Sequence, residues 1–312
     1  MDSVSLMTDS FGRRITDVRI AVNSSCNLRC IYCHREGEGD NGCVFGRNAG
    51  GLSVSEIHNL MSVFHNLGVR TIKITGGEPL LRPDILEVIK AIPPEMEISM
   101  TTNGTLLKEM ALSLKDAGLA RVNISIDSLH PERYAMITGH NLLSKVLKGL
   151  DAAVDAGLTP VKINTVLLPG INDDEIEDFL EFVRGKNDII LQFIELMNMN
   201  GFGEKEISMV NRTSEFAHNL EERFKREAEE TVTRRMHHRR KYNINGAMVE
   251  IVRPMHNAEF CANCNRLRIT SDGMLKPCLL RCGNEAPLKG LGRDEIIEVI
   301  RKAVATREPY FT

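Results

Sequence analysis

From about residue 17 to residue 195, short β-rich runs alternate with stretches of helical periodicity. These runs predict strands at 17–23, 70–75, 96–101, 121–127, 160–166 and 188–195. The 3.6-residue pattern predicts helices at 53–67, 83–91, 106–117, 143–156 and 173–184. Gly68, Gly118 and Gly157 each follow a last helical turn, where a left-handed residue is needed. Strand–helix alternation of this kind builds a parallel sheet with helices outside it. Six such units predict an incomplete (β/α)6 parallel barrel, short of a full eight-stranded one.

The strands carry a second message. Parallel strands covered on both faces read as continuous apolar runs, and these do not. In 121–127, Val122, Ile124 and Ile126 share one face, and Asn123, Ser125 and Asp127 the other. Ile72 and Ile74 oppose Lys73; Val161 and Ile163 oppose Lys162 and Asn164; Ile98 and Met100 oppose Ser99 and Thr101. If helices cover the apolar face, the polar face lines the lumen, and a polar lumen is costly unless it is wet or holds a polar ligand. The plainer reading is the solvated face of an antiparallel sheet, and the intervening helices argue against it.

From about residue 214 the character changes. A charged helix is expected over 214–230, a hairpin over 231–253 turning at Asn245-Gly246, and a closing helix near 293–305. The predicted organisation is a partial barrel at 1–213 and a C-terminal α+β extension at 214–312.

Composition narrows the classes. With 312 residues, 42% hydrophobic and 26% charged, the chain can bury one large core or a core and a smaller lobe. A net charge of −3 gives no push toward nucleic acid or membrane, and neither is expected as a partner. No apolar run approaches 18 residues and no signal-peptide pattern opens the chain, so a cytoplasmic protein is expected. The basic run Arg234–Lys241 reads as a solvated strand face.

Eight cysteines in such a chain suggest metal ligands more than disulfides. Cys26, Cys30 and Cys33 form C-x3-C-x2-C just after the first strand. Cys261, Cys264 and Cys278 form C-x2-C-x13-C. Structural zinc and [4Fe–4S] clusters normally take four protein ligands. Three thiolates in a tight loop can hold three irons of a cubane and leave the fourth open to a small molecule. Cys43 and Cys282 are expected as free thiols. Thr75-Gly-Gly-Glu-Pro79 ends the second strand, where barrel enzymes place their sites, and paired glycines allow close backbone approach. Arg266 and Arg268, two apart on an extended segment beside Cys264, present two guanidiniums on one face. That arrangement favours a polyanion or a base edge.

The first cysteine run followed by TGGEP resembles the radical S-adenosylmethionine (SAM) superfamily. With the second trio and Cys264-Asn-Arg-Leu-Arg268, nearly the whole chain resembles its GTP 3′,8-cyclase family of molybdenum-cofactor biosynthesis. The resemblance implies two [4Fe–4S] clusters, on Cys26, Cys30 and Cys33 and on Cys261, Cys264 and Cys278. It places SAM on the first cluster's open iron, with contacts at Tyr32, Gly77, Ser125 and Met197. It places GTP at the second, with contacts at Arg19, Lys73, Thr101, Lys162, Arg266 and Arg268. It also implies the chemistry: one electron cleaves SAM, the 5′-deoxyadenosyl radical takes hydrogen from C3′ of GTP, and the C3′ radical attacks C8 of guanine. An electron donor, cyclic pyranopterin monophosphate synthase (MoaC) as product acceptor, and a homodimer are compatible with it.

Three features depart from the family pattern. Lys73 stands where many members have Arg, His34 where Met is usual, and the chain ends Arg-Glu-Pro-Tyr-Phe-Thr without a Gly-Gly tail. A radical SAM enzyme that modifies a peptide is the nearest alternative; a zinc-stapled regulatory or nucleic-acid-binding protein is the alternative from another class.

Overall fold

The computed structural model describes residues 7–34, 51–197, 204–233 and 239–312. Six parallel strands follow one another as expected: β1 (Asp17–Ala21), β2 (Thr71–Thr75), β3 (Glu97–Thr102), β4 (Arg121–Ser125), β5 (Val161–Val166) and β6 (Ile189–Ile194). Between them lie α1 (Val54–Asn66), α2 (Ile85–Lys90), α3 (Leu107–Asp116), α4 (Pro131–Thr138), α5 (Leu143–Asp155) and α6 (Ile176–Val183). Ser53 starts α1 with a capping box: its hydroxyl accepts from Glu56 N, and the Glu56 carboxylate accepts from Ser53 N. Gly68, Gly118 and Gly157 have φ of +96°, +110° and +70° and end their helices as the sequence requires.

The helix α4 was not anticipated from the pattern, although Pro131 at its start and Gly139 (φ +80°) at its end are ordinary boundary signals. It matters to the site: Arg29 N and Ile31 N donate to the carbonyls of Thr138 and Ile137, so the loop carrying Cys30 is pinned to the end of α4.

The C-terminal part does not stand apart from the barrel. Helix α7 (Glu204–Glu227) begins ten residues before the expected 214. After it come β7 (Glu230–Thr233), β8 (Arg240–Ile244) and β9 (Ala247–Val252), with Asn245-Gly246 at the β8–β9 turn in left-handed conformation. Then follow a short helix α8 (Ala258–Ala262), strands β10 (Arg266–Ile269), β11 (Met274–Lys276) and β12 (Ala286–Pro287), and α9 (Arg293–Ala305). β9 pairs parallel to β6, and β10 pairs parallel to β1. One twelve-stranded sheet results, in the order β12-β11-β10-β1-β2-β3-β4-β5-β6-β9-β8-β7. Both edges of the six-stranded barrel are thus extended by strands from the last quarter of the chain. This covers the outer edges of β1 and β6 and leaves β12 and β7 as the edge strands of the sheet.

The core sits between sheet and helices. Ile20, Ile72, Ile74, Met100, Val122, Ile124, Ile163 and Leu191 are all fully buried on that side. Their neighbours along each strand face the lumen, which makes the alternation of the sequence a statement about geometry.

Candidate functional site

Strand register assembles the lumen wall. Arg19 lies between Lys73 and Arg268; Lys73 is level with Ser99; Thr101, Asn123 and Lys162 form one row; Ser125, Asn164, Gln192 and Glu250 form another. All of these but Ser125 and Glu250 line a cavity of about 570 Å³. Arg19, Lys73, Thr101, Lys162, Arg266 and Arg268, chosen from the sequence for one ligand, all line it. Tyr32 and Met197 line the same cavity, and so do Cys261, Cys264 and Cys278. Gly77, Ser125 and the cysteines of the first trio are not part of its wall; Ser125 is in register with Asn164, which is.

Electrostatics mark the cavity for an anion. Lys73 is pushed well down from the ordinary lysine range, first by burial and then by Arg19, Arg266 and Lys162 around it. An entering polyanion would reverse that penalty. Two carboxylates temper the cations. Asp17 accepts from Arg266 Nε, and Glu250 accepts from Lys162 Nζ at 2.6 Å and Gln192 Nε2 at 2.7 Å. Burial alone would raise the Asp17 carboxyl, but Arg266 and a hydroxyl from Thr71 hold it below its usual value. Arg266 is therefore anchored by Asp17. Asn123 Oδ1 and Asn164 Oδ1 are buried acceptors without a hydrogen-bond partner among the described residues, and both side chains line the cavity. A ligand with hydroxyl or N–H donors would satisfy them.

Two positions beside the cavity were missed. Glu250 lies on the polar face of β9, but nothing local to it names Lys162, 88 residues earlier, as its partner. Arg239, read as part of a solvated strand face, instead lines the cavity 3.6 Å from Glu250. Residues 234–238 of that run lie outside the described residues. Cys282, expected as a free thiol, is disulfide-bonded; Cys43 lies outside the described residues.

The first cysteine loop is built on the Gly-Gly pair. Gly77 N donates to Asn23 O at 3.0 Å and Glu78 N to Ser25 O at 2.7 Å. A Cβ on Gly77 would stand 2.3 Å from the Ser25 carbonyl oxygen, and one on Gly76 2.5 Å from that of Asn23. The glycines thus admit the backbone just ahead of Cys26. Behind them the buried Glu78 carboxylate accepts from Leu80 N, Thr102 Oγ1 and Asn103 N. Asn103 in turn donates to Asn27 in the loop at 2.7 Å. Tyr32 donates to Asp127 at 2.6 Å, and burial pushes that carboxyl up to about 6.

The donor chemistry fits iron–sulfur clusters. All six trio cysteines are free thiols. Burial pushes the Cys30 thiol up, and Asp127, Cys33 and Cys26 add to the effect, so three ionised thiols here call for a cationic centre among them. Among the described residues no three His, Cys, Asp or Glu side chains converge tightly enough for a single metal ion. A cubane, which spreads its ligands over separate irons, makes no such demand.

Comparison with known proteins agrees with this geometry. The Radical SAM superfamily matches residues 20–183, and Molybdenum Cofactor Synthesis C matches residues 189–312. A protein of Methanocella arvoryzae named "Probable GTP 3′,8-cyclase" is 48% identical over 98% of this chain and 95% of its own length. One of the same name from Archaeoglobus fulgidus is 45% identical over 98% and 99%. Among solved structures, native anSMEcpe with bound AdoMet superposes with a TM-score of 0.66 over 95% of this chain and 84% of its own, at 17% identity. Streptococcus suis SuiB bound to its precursor peptide SuiA gives 0.58 over 86% and 61%, also at 17%. The last two are likenesses of fold. Matched from end to end by these relatives, the chain belongs to the GTP 3′,8-cyclase family of the radical SAM superfamily.

Proposed function

We infer that this protein performs its family's reaction, the first step of molybdenum-cofactor biosynthesis: GTP is converted to (8S)-3′,8-cyclo-7,8-dihydroguanosine 5′-triphosphate. SAM with a [4Fe–4S] cluster on Cys26, Cys30 and Cys33 supplies the one-electron chemistry and the group that takes hydrogen from the substrate. Tyr32, Gly77, Ser125 and Met197 hold SAM. A second [4Fe–4S] cluster belongs to Cys261, Cys264 and Cys278. Arg19, Lys73, Thr101, Lys162, Arg266 and Arg268 bind GTP, their cations meeting the triphosphate. The barrel of 1–213 and the extension of 214–312 together exclude water from the reacting atoms. An outside donor supplies the electron, and cyclic pyranopterin monophosphate synthase takes the product.

One observation carries the reading. β10 joins the barrel beside β1, so the Arg-Leu-Arg segment lines the same cavity as Tyr32, Met197 and the second cysteine trio. A peptide-modifying radical SAM enzyme would share the fold, but the Molybdenum Cofactor Synthesis C match covers the whole cavity-closing part of the chain. The direct test is anaerobic incubation with SAM, a reductant and GTP, with the cyclised nucleotide as readout. A protein that cleaves SAM equally with and without GTP and forms no cyclised product would refute the assignment.

Arg268→Ala is the sharper probe of the nucleotide. A charge-assisted hydrogen bond contributes roughly 1.5–3 kcal/mol. The variant should therefore weaken GTP binding by about tenfold or more, with SAM affinity unchanged in isothermal titration. Arg266→Ala is expected to do the same with an added loss of stability, because it strands the buried Asp17 carboxylate. Equal loss of SAM and GTP affinity in Arg268→Ala would mean that the arginine is structural.

A further inference from the structure

Beside the second cysteine trio, on the wall of the same cavity, lies a buried assembly of one carboxylate and two guanidiniums. Asp9, Arg13 and Arg307 are 5%, 7% and 2% exposed. Asp9 sits in a tight turn closed by Gly12 (φ +75°), and its Oδ1 accepts from Phe11 N at 3.0 Å and Arg13 N at 2.9 Å. Its Oδ2 accepts from Arg13 Nε and Arg307 Nη1, both at 2.8 Å. One carboxylate thus joins two guanidiniums that would otherwise repel each other.

The remaining donors of these arginines have a single kind of target. Arg13 Nη1 donates to the carbonyl of Cys261 at 3.0 Å, and Arg307 Nη2 to that of Cys264 at 2.8 Å. Arg307 Nε donates to the carbonyl of Pro277, the residue before Cys278, at 3.3 Å. Arg13 Nη2 closes the assembly on the Arg307 carbonyl at 3.3 Å. All three cysteine-bearing backbone segments are therefore gripped from one side, two of them at the cysteine itself. Cys261 and Cys264 share one turn, in which Cys264 N donates to Cys261 O at 3.2 Å, and the grip ties that turn to the distant segment of Pro277 and Cys278.

Charge gives the assembly a second consequence. One carboxylate and two guanidiniums leave one positive charge in excess, and it is buried. A buried excess cation is expensive unless a negative group lies close. A cubane held by three thiolates carries net negative charge, and both guanidiniums reach the backbone of its ligands, Arg13 at Cys261 and Arg307 at Cys264. Positive charge beside such a centre favours the electron-rich state.

We propose that Arg13 and Arg307, joined through Asp9, are positioning residues for the second cluster: they fix the spacing of its three cysteines and raise its reduction potential. The proposal rests on the reading of Cys261, Cys264 and Cys278 as cluster ligands. The test starts from the full chain with Cys26, Cys30 and Cys33 changed to alanine, reconstituted anaerobically, so that only the second centre contributes signal. Into it are placed Arg307→Gln, Arg307→Lys and Arg13→Gln, with Arg301→Gln on the exposed face of α9 as a control for lost charge.

Two readouts need no turnover. Iron loss to a chelator should be at least about tenfold faster in Arg307→Gln and Arg13→Gln than in the parent, by the usual worth of charge-assisted hydrogen bonds. Redox titration followed by electron paramagnetic resonance should show a lower midpoint potential in Arg307→Gln, brought back toward the parental value by Arg307→Lys, which keeps the charge but not the fork. The Arg301→Gln control should match the parent in both. Parental chelation rates and potentials in all folded variants would overturn the proposal. If Arg307→Gln fails to fold, the decision passes to Arg307→Lys: a folded lysine variant with parental iron retention overturns the positioning role. A parent that binds no cubane defeats the cluster reading instead, and the two failures are distinct.

Discussion

A chain with Cys26, Cys30 and Cys33 all changed to alanine is expected to release no 5′-deoxyadenosine from SAM and to keep about half of the iron bound by the wild type, on the two-cluster reading. The cysteines contribute thiolates and little packing: Cys26 and Cys33 are exposed and Cys30 is partly so. What holds the loop is backbone, through the bonds of Arg29 and Ile31 to the end of α4 and of Glu78 and Gly77 to the residues before Cys26. Removing three thiols should therefore leave the melting transition nearly unchanged while it abolishes the reaction. The second trio occupies a separate part of the chain and has its own supports, so its iron should persist. Anaerobic iron analysis beside product chromatography settles the matter. Loss of all iron from a folded triple variant would show that the two sites are not independent.

Gly77→Ala is expected to cut SAM cleavage by about 100-fold or more, on the rule that a displacement near 1 Å in a reacting group costs that much. The new methyl would lie 2.3 Å from a backbone oxygen and 2.5 Å from a backbone carbon of Ser25, neither of which can rotate away as a side-chain tip could. The loop must move, and Cys26 is its next residue. Gly118→Ala makes the comparison: its φ of +110° strains any side chain, but nothing lies within 4 Å of the added methyl. That variant should lose stability and keep its rate per folded molecule. Parental SAM cleavage by Gly77→Ala would mean that the glycine pair does not set the position of the cysteine loop.

Legibility in the sequence followed the range of the interaction. The six parallel strands were readable because each is a short β-rich run, and in β2 to β5 the run carries its own two-residue alternation. Lys73, Asn123 and Lys162 fell on the lumen face by that alternation alone. Chemistry concentrated in short spans was readable too, as in the two cysteine trios. What was not readable depends on partners far apart in sequence. No local pattern says that β10 will lie against β1, that Glu250 will receive Lys162, or that Arg307 will reach the carbonyl of Cys264. Arg239 misled for the same reason: a basic run beside a turn looks solvated until the strand that carries it is known to close a cavity. The helix α4 is a different case. Its eight residues are too few for amphipathic periodicity to stand out, and only its proline start and glycine stop gave notice of it.

The pairing of β10 with β1 has a consequence for how the protein is made. Arg266 and its partner Asp17 are 249 residues apart in the chain. A ribosome delivers the first strand early and the strand that covers its outer edge almost last, at about 5–20 residues per second. For most of synthesis the nascent barrel therefore shows a bare strand edge, the feature that invites neighbouring chains to pair with it. Native contacts of such long separation also form slowly. Yields of this protein should thus respond to translation speed, temperature and chaperone supply more sharply than its finished stability would suggest.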